Sequence, residues 1–334
     1  MKVYYRPIIQ NDLTRPKFYL NLSNQYQWFD RFEKLERGKK PVHISADLVP
    51  SEVIRNLTSI RKSCIFDRFE KPLIMGILNL TPDSFSDGGV NFHAMDAIKS
   101  AKKMVEDGVD VIDVGGESTK PGAEQITDEL ELSRIESTIK AIKRNHPSCK
   151  VSVDTRKSRV MKRVIELGVD FVNDVSALSF DTSSMQVLAQ DNVQICLMHG
   201  GLNPKTMQQR TVYDDVVLDV YDYLEERISS AVAGGIKKEN IIVDPGIGFG
   251  KTETQNIQLI QKASIFHSLG CPVLYGVSRK AFIGGISGVK KVSDRFPGSI
   301  AVALDLVRQG IQFIRVHDTR ETKQAVALWE AINY

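Results

Sequence analysis

The sequence has few of the features that mark secreted, membrane and nucleic-acid-binding proteins. Its 334 residues include four widely separated cysteines with no C-x-x-C pair, so we expect reduced thiols and a cytoplasmic location. No run approaches the roughly 18 apolar residues of a spanning helix, and the first residues lack an apolar stretch of signal-peptide length. The formal net charge is only +3, which predicts neither a nucleic-acid nor a membrane partner.

Three ligand-site patterns are also missing. The six histidines show no metal-ligand spacing, which argues against a zinc site. Gly250-Lys251-Thr252 imitates the end of a phosphate-binding P-loop, but Pro245 stands where that motif needs its first glycine. The dinucleotide pattern G-x-G-x-x-G fails as well, because Lys251 occupies the place of its last glycine.

From residue 73 onward, short apolar runs alternate with helical patterns. The runs are rich in Val and Ile and mostly unalternating, which is typical of parallel strands buried on both faces. The candidate strands are residues 73–78, 109–114, 151–153, 171–172, 193–198, 241–243, 273–277 and 311–316. Eight such units over about 260 residues predict an α/β protein with a (β/α)₈ TIM barrel. Periodicity alone leaves an open doubly wound sheet as the alternative.

Residues 1–72 lack this alternation and carry no catalytic constellation. They are rich in aromatic residues, such as Tyr4, Trp28 and Phe32, which favours packing on the barrel over a disordered tail. The segment is short for an independent domain. We therefore predict an N-terminal extension over residues 1–72 and a catalytic barrel over residues 73–334.

Polar groups follow all eight predicted strands. The first strand leads into residues 79–89, a loop with an amide, two carboxylates, three hydroxyls and the ring of Phe85. The other ends are residues 113–122, 154–157, 173–174, 198–199, 244–251, 278–280 and 315–318. A single Asp or Asn at a strand end caps a helix more often than it binds a ligand, and a single His or Lys has an equally simple explanation. The coincidence over eight ends, which a barrel brings to one face, predicts an active site.

In this order, these motifs resemble the dihydropteroate synthase family. The matching pieces are residues 75–89, 116–123, 153–155, 172–174, 197–199, 244–251, 278–280 and 315–318, and residues 1–72 lie outside the family core. The resemblance implies a TIM barrel that joins 7,8-dihydropterin-6-ylmethyl diphosphate to 4-aminobenzoate and releases pyrophosphate with Mg²⁺. It also implies sulfonamide inhibitors as ligands and a homodimer as the assembly.

The resemblance gives roles to the residues of the presumed pterin pocket. Asp154, Asn173 and Asp244 would match the donor edge of the pterin, and Lys280 would donate to its ring carbonyl and ring nitrogen. Met198 would lie against the ring as a soft apolar wall. The implied path is S_N1-like, so that no strong general base is needed.

The remaining implied roles concern pyrophosphate and aminobenzoate. Asn79 would hold Mg²⁺, while Arg315 and His317 would stabilise the leaving group. Aminobenzoate would lie against Phe85, Pro121 and Phe249, with its carboxylate at the start of the helix near Lys280. Ser278, Thr119 and Lys120 complete the implied substrate contacts, and Lys280, Arg315, His317 and Asp154 form the implied catalytic set.

One residue departs from the family pattern, and two other functions stay open. Lys120 stands where the family usually has Arg, so we expect a somewhat weaker clamp on pyrophosphate. The alternatives are a pterin-binding methyltransferase module that uses methyltetrahydrofolate, and an inactive pterin-binding scaffold. Residues 79–89, residues 120–122 and the pair of Arg315 and His317 favour the synthase over the methyltransferase module, which needs no pyrophosphate clamp. The intact Asn79, Lys280 and Arg315 argue against the inactive scaffold.

Overall fold

A computed structural model describes residues 2–23, 26–81, 90–118, 123–200 and 211–333. The first elements form a small antiparallel sheet, in the order β1-β4-β5, and a two-stranded ribbon of β2 and β3. They are β1 (Val3–Pro7), β2 (Leu20–Asn21), β3 (Trp28–Phe29), β4 (Arg31–Glu36), β5 (Val42–Ser45) and helix α1 (Ser51–Thr58). Phe29, Phe32 and Leu57 are fully buried in a small core of this segment.

Eight parallel strands form the main sheet. They are β6 (Leu73–Asn79), β7 (Val111–Gly115), β8 (Lys150–Asp154), β9 (Phe171–Asp174), β10 (Gln194–Met198), β11 (Ile241–Asp244), β12 (Leu274–Tyr275) and β13 (Phe313–Val316). Neighbours follow chain order from β6 to β11, and β13 lies between β6 and β12. A parallel bridge from Val243 to Val273 joins β11 to the start of β12 and closes the sheet. The predicted TIM barrel is confirmed, and closure excludes the open sheet.

Helices surround this barrel and cover its outer face. They are α2 (Val90–Glu106), α3 (Asp128–Asn145), α4 (Ser158–Glu166), α5 (Ser184–Gln190), α6 (Val216–Ala233), α7 (Glu253–Gln261), α8 (Ala281–Ser287), α9 (Phe296–Arg308) and α10 (Thr319–Asn333). Thr127 is the N-cap of α3, and its hydroxyl accepts the N–H of Leu130 at 3.2 Å. The described helices are all too short or too polar to cross a membrane.

The N-terminal segment packs on the outside of the barrel through charged and polar contacts. Lys2 and Arg37 pair with Asp222 of α6, and the hydroxyl of Tyr4 donates to the same carboxylate at 2.7 Å. Arg61 is buried against a 3₁₀ helix at residues 263–269, where its guanidinium donates to the carbonyl oxygen of His267 at 2.8 Å. The division of the chain at residue 72 stays a prediction.

Residues just before β6 close the bottom of the barrel. Phe69 is 1% exposed, and its ring centroid lies 5.6 Å from that of Phe313. We call this cluster the barrel floor; it consists of Phe69, Met75, Val111, Phe171, Cys196, Ile242, Leu274 and Phe313. Seven of its eight members lie within the first three residues of a barrel strand, so the floor lies at the end opposite the predicted active site.

Candidate active site

A cavity of about 700 Å³ opens at the carboxyl ends of the barrel strands. It collects side chains from four separate strand ends, namely those of β6, β11, β12 and β13. The sequence-predicted residues among its lining are Asn79, Phe249, Ser278, Lys280, Arg315 and His317. A cavity at this end of a TIM barrel is where an active site is expected.

Two buried acids and one amide surround the guanidinium of Arg315. Its Nε donates to Asp113 Oδ2 at 2.6 Å, and a terminal nitrogen donates to Asp154 Oδ2 at 3.0 Å. The amide of Asn173 donates to the same Asp113 oxygen at 3.3 Å. These contacts join β7, β8, β9 and β13 in one network inside the barrel.

The network leaves acceptor oxygens for a ligand. Asp154 Oδ1 and Asn173 Oδ1 are buried and accept no hydrogen bond from the described residues. A buried acceptor without a donor costs roughly 1–3 kcal/mol, so such atoms call for an explanation. A ligand that brings N–H donors into the barrel would satisfy both oxygens.

Burial shifts the charged groups of the pocket toward neutrality. It raises the pKa of Asp154 to about 7, against the opposing effect of Arg315. It raises the pKa of Asp244 to about 6, although the N–H of Gly246 donates to that carboxylate at 2.7 Å. Burial and the nearby Arg315 lower the pKa of Lys280 to about 8. Near neutral pH the pocket can therefore exchange protons readily with a ligand or solvent.

Lys280 and Phe249 form one wall of the cavity. The Lys280 ammonium lies 4.3 Å from the Phe249 ring centroid, a distance typical of a cation–π contact. Gly248, between them, has φ +83°, and a Cβ there would lie 3.2 Å from Lys280 Cδ. Met198 ends β10, where it is buried and paired with Asp244 of β11. Met198, the predicted apolar wall, and the predicted polar residue Asp244 thus lie side by side on the neighbouring strands β10 and β11.

His317 is held by Ser278 in a neutral form. Its backbone N–H donates to Ser278 Oγ at 3.1 Å, and its Nδ1 lies 3.1 Å from the same oxygen. Burial and the charges of Arg315 and Arg279 lower the pKa of His317 to about 3. The lowered pKa keeps the imidazole uncharged near neutral pH, so one of its ring nitrogens is a donor and the other an acceptor.

Lys251 was given no role by the sequence, but it lies at the centre of the loop after β11. Its Nζ lies 2.9 Å from the carbonyl oxygens of Gly246 and Phe249 and from Nδ1 of His199. Gly246 has φ +69°, and a Cβ there would lie 2.0 Å from the His199 carbonyl oxygen. The buried ammonium therefore ties the end of β10 to the loop that carries Phe249.

Asn79 is the predicted metal ligand. It ends β6 beside Gly115, where a Cβ would lie 3.1 Å from Asn79 Oδ1. In the described ranges, no group of three or more His, Cys, Asp or Glu side chains could hold a metal. A single amide oxygen fits Mg²⁺, which keeps several waters and takes further oxygens from a substrate diphosphate.

Other predicted residues cannot be placed, and two useful residues were not predicted. Phe85, Thr119, Lys120 and Pro121 lie outside the described residues. Asp113 and Lys251 were assigned no role, although an acid inside an otherwise apolar strand is a signal that points to Asp113.

A closed barrel with these acids, amide and cations at its strand ends has the form of a small-molecule enzyme. Residues 75–317 match the family described as pterin binding enzyme, and the chain belongs to that family. Proteins similar to this chain include dihydropteroate synthases of several bacteria, which confirms the resemblance of the motifs. That of Haemophilus influenzae is 42% identical over 260 residues, which cover 78% of this chain and 94% of that protein.

Two solved structures of dihydropteroate synthases show the same likeness. The Xanthomonas albilineans protein, with 4-aminobenzoic acid, has a TM-score of 0.77 and 38% identity, and the match covers 82% of this chain and 98% of that one. The Yersinia pestis protein, in complex with a sulfonamide drug, has a TM-score of 0.75 and 38% identity over 79% of this chain and 95% of that one.

Proposed function

We propose that this chain is a dihydropteroate synthase, a transferase of folate biosynthesis. It condenses 7,8-dihydropterin-6-ylmethyl diphosphate with 4-aminobenzoate and releases pyrophosphate. The observation that carries the proposal is the pair of buried acceptor oxygens on Asp154 and Asn173 that have no partner among the described residues. Arg315, which lines the cavity together with Lys280, contacts Asp154. Similarity to proteins of this name supports the substrates, since one solved relative holds 4-aminobenzoic acid and another a sulfonamide drug.

The pterin would enter with its guanidine-like edge toward the barrel interior. Asp154 and Asn173 offer buried acceptor oxygens to that edge, and Asp244 offers a third group at the end of β11, with β10 between β11 and the β9 strand of Asn173. Lys280 would donate to the ring carbonyl from the other side, while Met198 packs against the ring face. Burial raises the pKa values of Asp154 and Asp244, and hydrogen bonds from the uncharged pterin edge would stabilise their ionised forms and offset that burial.

Arg315 and His317 would bind the diphosphate as it leaves. The two ion pairs of Arg315 use only part of its guanidinium fork, so its other N–H groups can meet phosphate oxygens. His317, as a neutral imidazole, would donate one hydrogen bond from its protonated ring nitrogen without adding charge. Mg²⁺, held by Asn79 and the diphosphate, would neutralise part of the developing negative charge.

The bond changes follow an S_N1-like order. The C–O bond at the pterin methylene breaks, and its electron pair leaves with pyrophosphate. The electron-rich dihydropterin delocalises the resulting positive charge. The amine of 4-aminobenzoate, which would lie near Phe249, then forms the C–N bond and loses a proton to solvent or to pyrophosphate. The pocket residues need only orient the partners and stabilise charge, which agrees with the lack of a strong general base.

The test mixes the protein with dihydropterin diphosphate, 4-aminobenzoate and Mg²⁺, and measures pyrophosphate and dihydropteroate. We expect product from the wild type, a loss of about 10²- to 10³-fold in kcat/KM for Arg315→Ala, and a higher Mg²⁺ requirement for Asn79→Ala. Arg308→Ala, which changes an exposed arginine of α9, is the matched control. The absence of product, or equal rates in all variants, would refute the proposal.

Two further expectations belong to the same proposal. A sulfonamide should compete with 4-aminobenzoate and leave the KM for the pterin substrate unchanged. Replacing Lys120 by Arg should tighten pyrophosphate binding modestly, because Arg can grip phosphate with two parallel N–H groups. The homodimer stays a prediction, which light scattering on the purified protein can test.

A further inference from the structure

Asp113 joins two residues of the pocket although it was assigned no part in the reaction. It lies on β7 two residues before Gly115, so its side chain points to the same face of the strand as that glycine. The carboxylate is fully buried. Its Oδ2 accepts from Arg315 Nε at 2.6 Å and from Asn173 Nδ2 at 3.3 Å.

This contact decides which way the amide of Asn173 faces. An amide has a donor nitrogen and an acceptor oxygen that are nearly alike in shape, and hydrogen bonding decides between them. The carboxylate of Asp113, whose charge Arg315 stabilises, can only accept, so the amide nitrogen must face it. Asn173 Oδ1 therefore turns away from Asp113, where it is buried without a partner among the described residues.

We propose that Asp113 is a positioning residue for the pterin site, which fixes the amide of Asn173 as an acceptor and holds Arg315 beside Asp154. The inference rests on the proposed function, since it names the pterin donor edge as the group that Asn173 meets. Without Asp113, the amide can turn over and present its NH₂ to the N–H groups of the pterin. Arg315 would also keep only one of its two carboxylate partners.

The experiment is a double-mutant cycle between Asp113 and Asn173. Asp113→Asn keeps the shape of the side chain, and binding of the uncharged probe 6-hydroxymethylpterin is measured by calorimetry. We expect Asp113→Asn to weaken binding about 10- to 100-fold in the wild type, but by less than about threefold when Asn173→Ala is already present. In turnover, the KM for the pterin substrate should rise while the KM for 4-aminobenzoate stays unchanged.

The matched control is Asp110→Asn, at the residue directly before β7. Asp110 accepts from the N–H of Ile74 at 2.7 Å and pairs with Lys323, far from the cavity. It should affect stability but show no coupling to Asn173. A loss of affinity that is equal in both Asn173 backgrounds would mean that Asp113 is only structural, and it would overturn the inference.

A second variant protects the test from misfolding. Asn173→Asp presents an acceptor oxygen in either orientation of its side chain, so Asp113→Asn should weaken binding by less than about threefold in this background as well; a loss as large as in the wild type would refute the role of the amide. Calorimetry needs no turnover, so the two proposals fail separately. A wild type that binds pterin but makes no product refutes the synthase alone, whereas a wild type that binds no pterin refutes both.

Discussion

Replacing Phe69 by alanine tests whether the N-terminal segment is part of what keeps the barrel folded. Phe69 belongs to the barrel floor, and its ring lies 5.7 Å from Phe66 and 5.6 Å from Phe313, centroid to centroid. The side chain is 1% exposed, so truncation leaves a cavity that the short segment before β6 must fill or tolerate. We expect the free energy of unfolding to fall by roughly 3–5 kcal/mol.

Three contributions make up this magnitude. Removing the buried ring from its apolar surroundings costs about 1.5–3 kcal/mol, and the lost ring–ring contacts add about 0.5–1.5 kcal/mol. The cavity that remains accounts for the rest. Native proteins are stable by only about 5–15 kcal/mol, so the variant should lose a large share of its stability. Its kcat at low temperature should hold, because the floor lies at the opposite end of the barrel from the cavity.

The assay is urea unfolding followed by circular dichroism, with turnover measured well below the transition. The control is Phe18→Ala, since Phe18 is an aromatic residue of the same segment that is 79% exposed. That change should stay within about 0.5 kcal/mol of the wild type. If Phe69→Ala costs less than about 1 kcal/mol, or no more than the control, the segment does not support the barrel as we reason.

Two other predictions concern the pocket. Lys251→Met should lower the free energy of unfolding by about 3 kcal/mol and raise the KM for the pterin substrate, because carbonyl oxygens of the loop lose their donor. Urea unfolding measures the first effect and steady-state kinetics the second. Lys290→Met, at an exposed lysine, should change neither. Burial raises the pKa of Asp154 from the usual 3.8 to about 7, so between these pH values the native state binds more protons than the unfolded state. The ligand-free protein should therefore lose stability as the pH rises from 3.8 to about 7. Calorimetric pterin affinity should rise through the same window and fall above about 8 as Lys280 loses its proton, and a flat profile would contradict both assignments.

The barrel could be predicted from sequence because each part leaves a local mark. Buried parallel strands appear in the sequence as short runs of Val and Ile, and a threonine such as Thr127, followed by acidic residues, is typical of the start of a helix. The strands of the N-terminal segment left no such mark, since β2 and β3 have two residues each and alternation is weak. Such short strands are held by packing rather than by pattern.

The site was predictable where a residue lies at or near the carboxyl end of a strand. Asp154 and Asp244 end their strands, Asn173 is one residue before the end of β9, and a barrel brings such ends together whatever lies between them. Asp113 lies within β7, and its importance depends on contacts to β9 and β13 that no local pattern reveals. Lys251 looked like a phosphate-binding lysine because its neighbours are glycine and threonine; only the folded loop shows that its ammonium points inward.

The contact between the N-terminal segment and α9 has a consequence for how the chain folds. The side chain of Gln27 donates to the carbonyl oxygen of Val307 at 3.0 Å, across a sequence separation of 280 residues. During synthesis the segment emerges first, but its docking surface is made almost last. Contacts of such long range close large loops and slow folding. We therefore expect the segment to wait, partly ordered, until the barrel has formed, and its docking to be among the final events of folding.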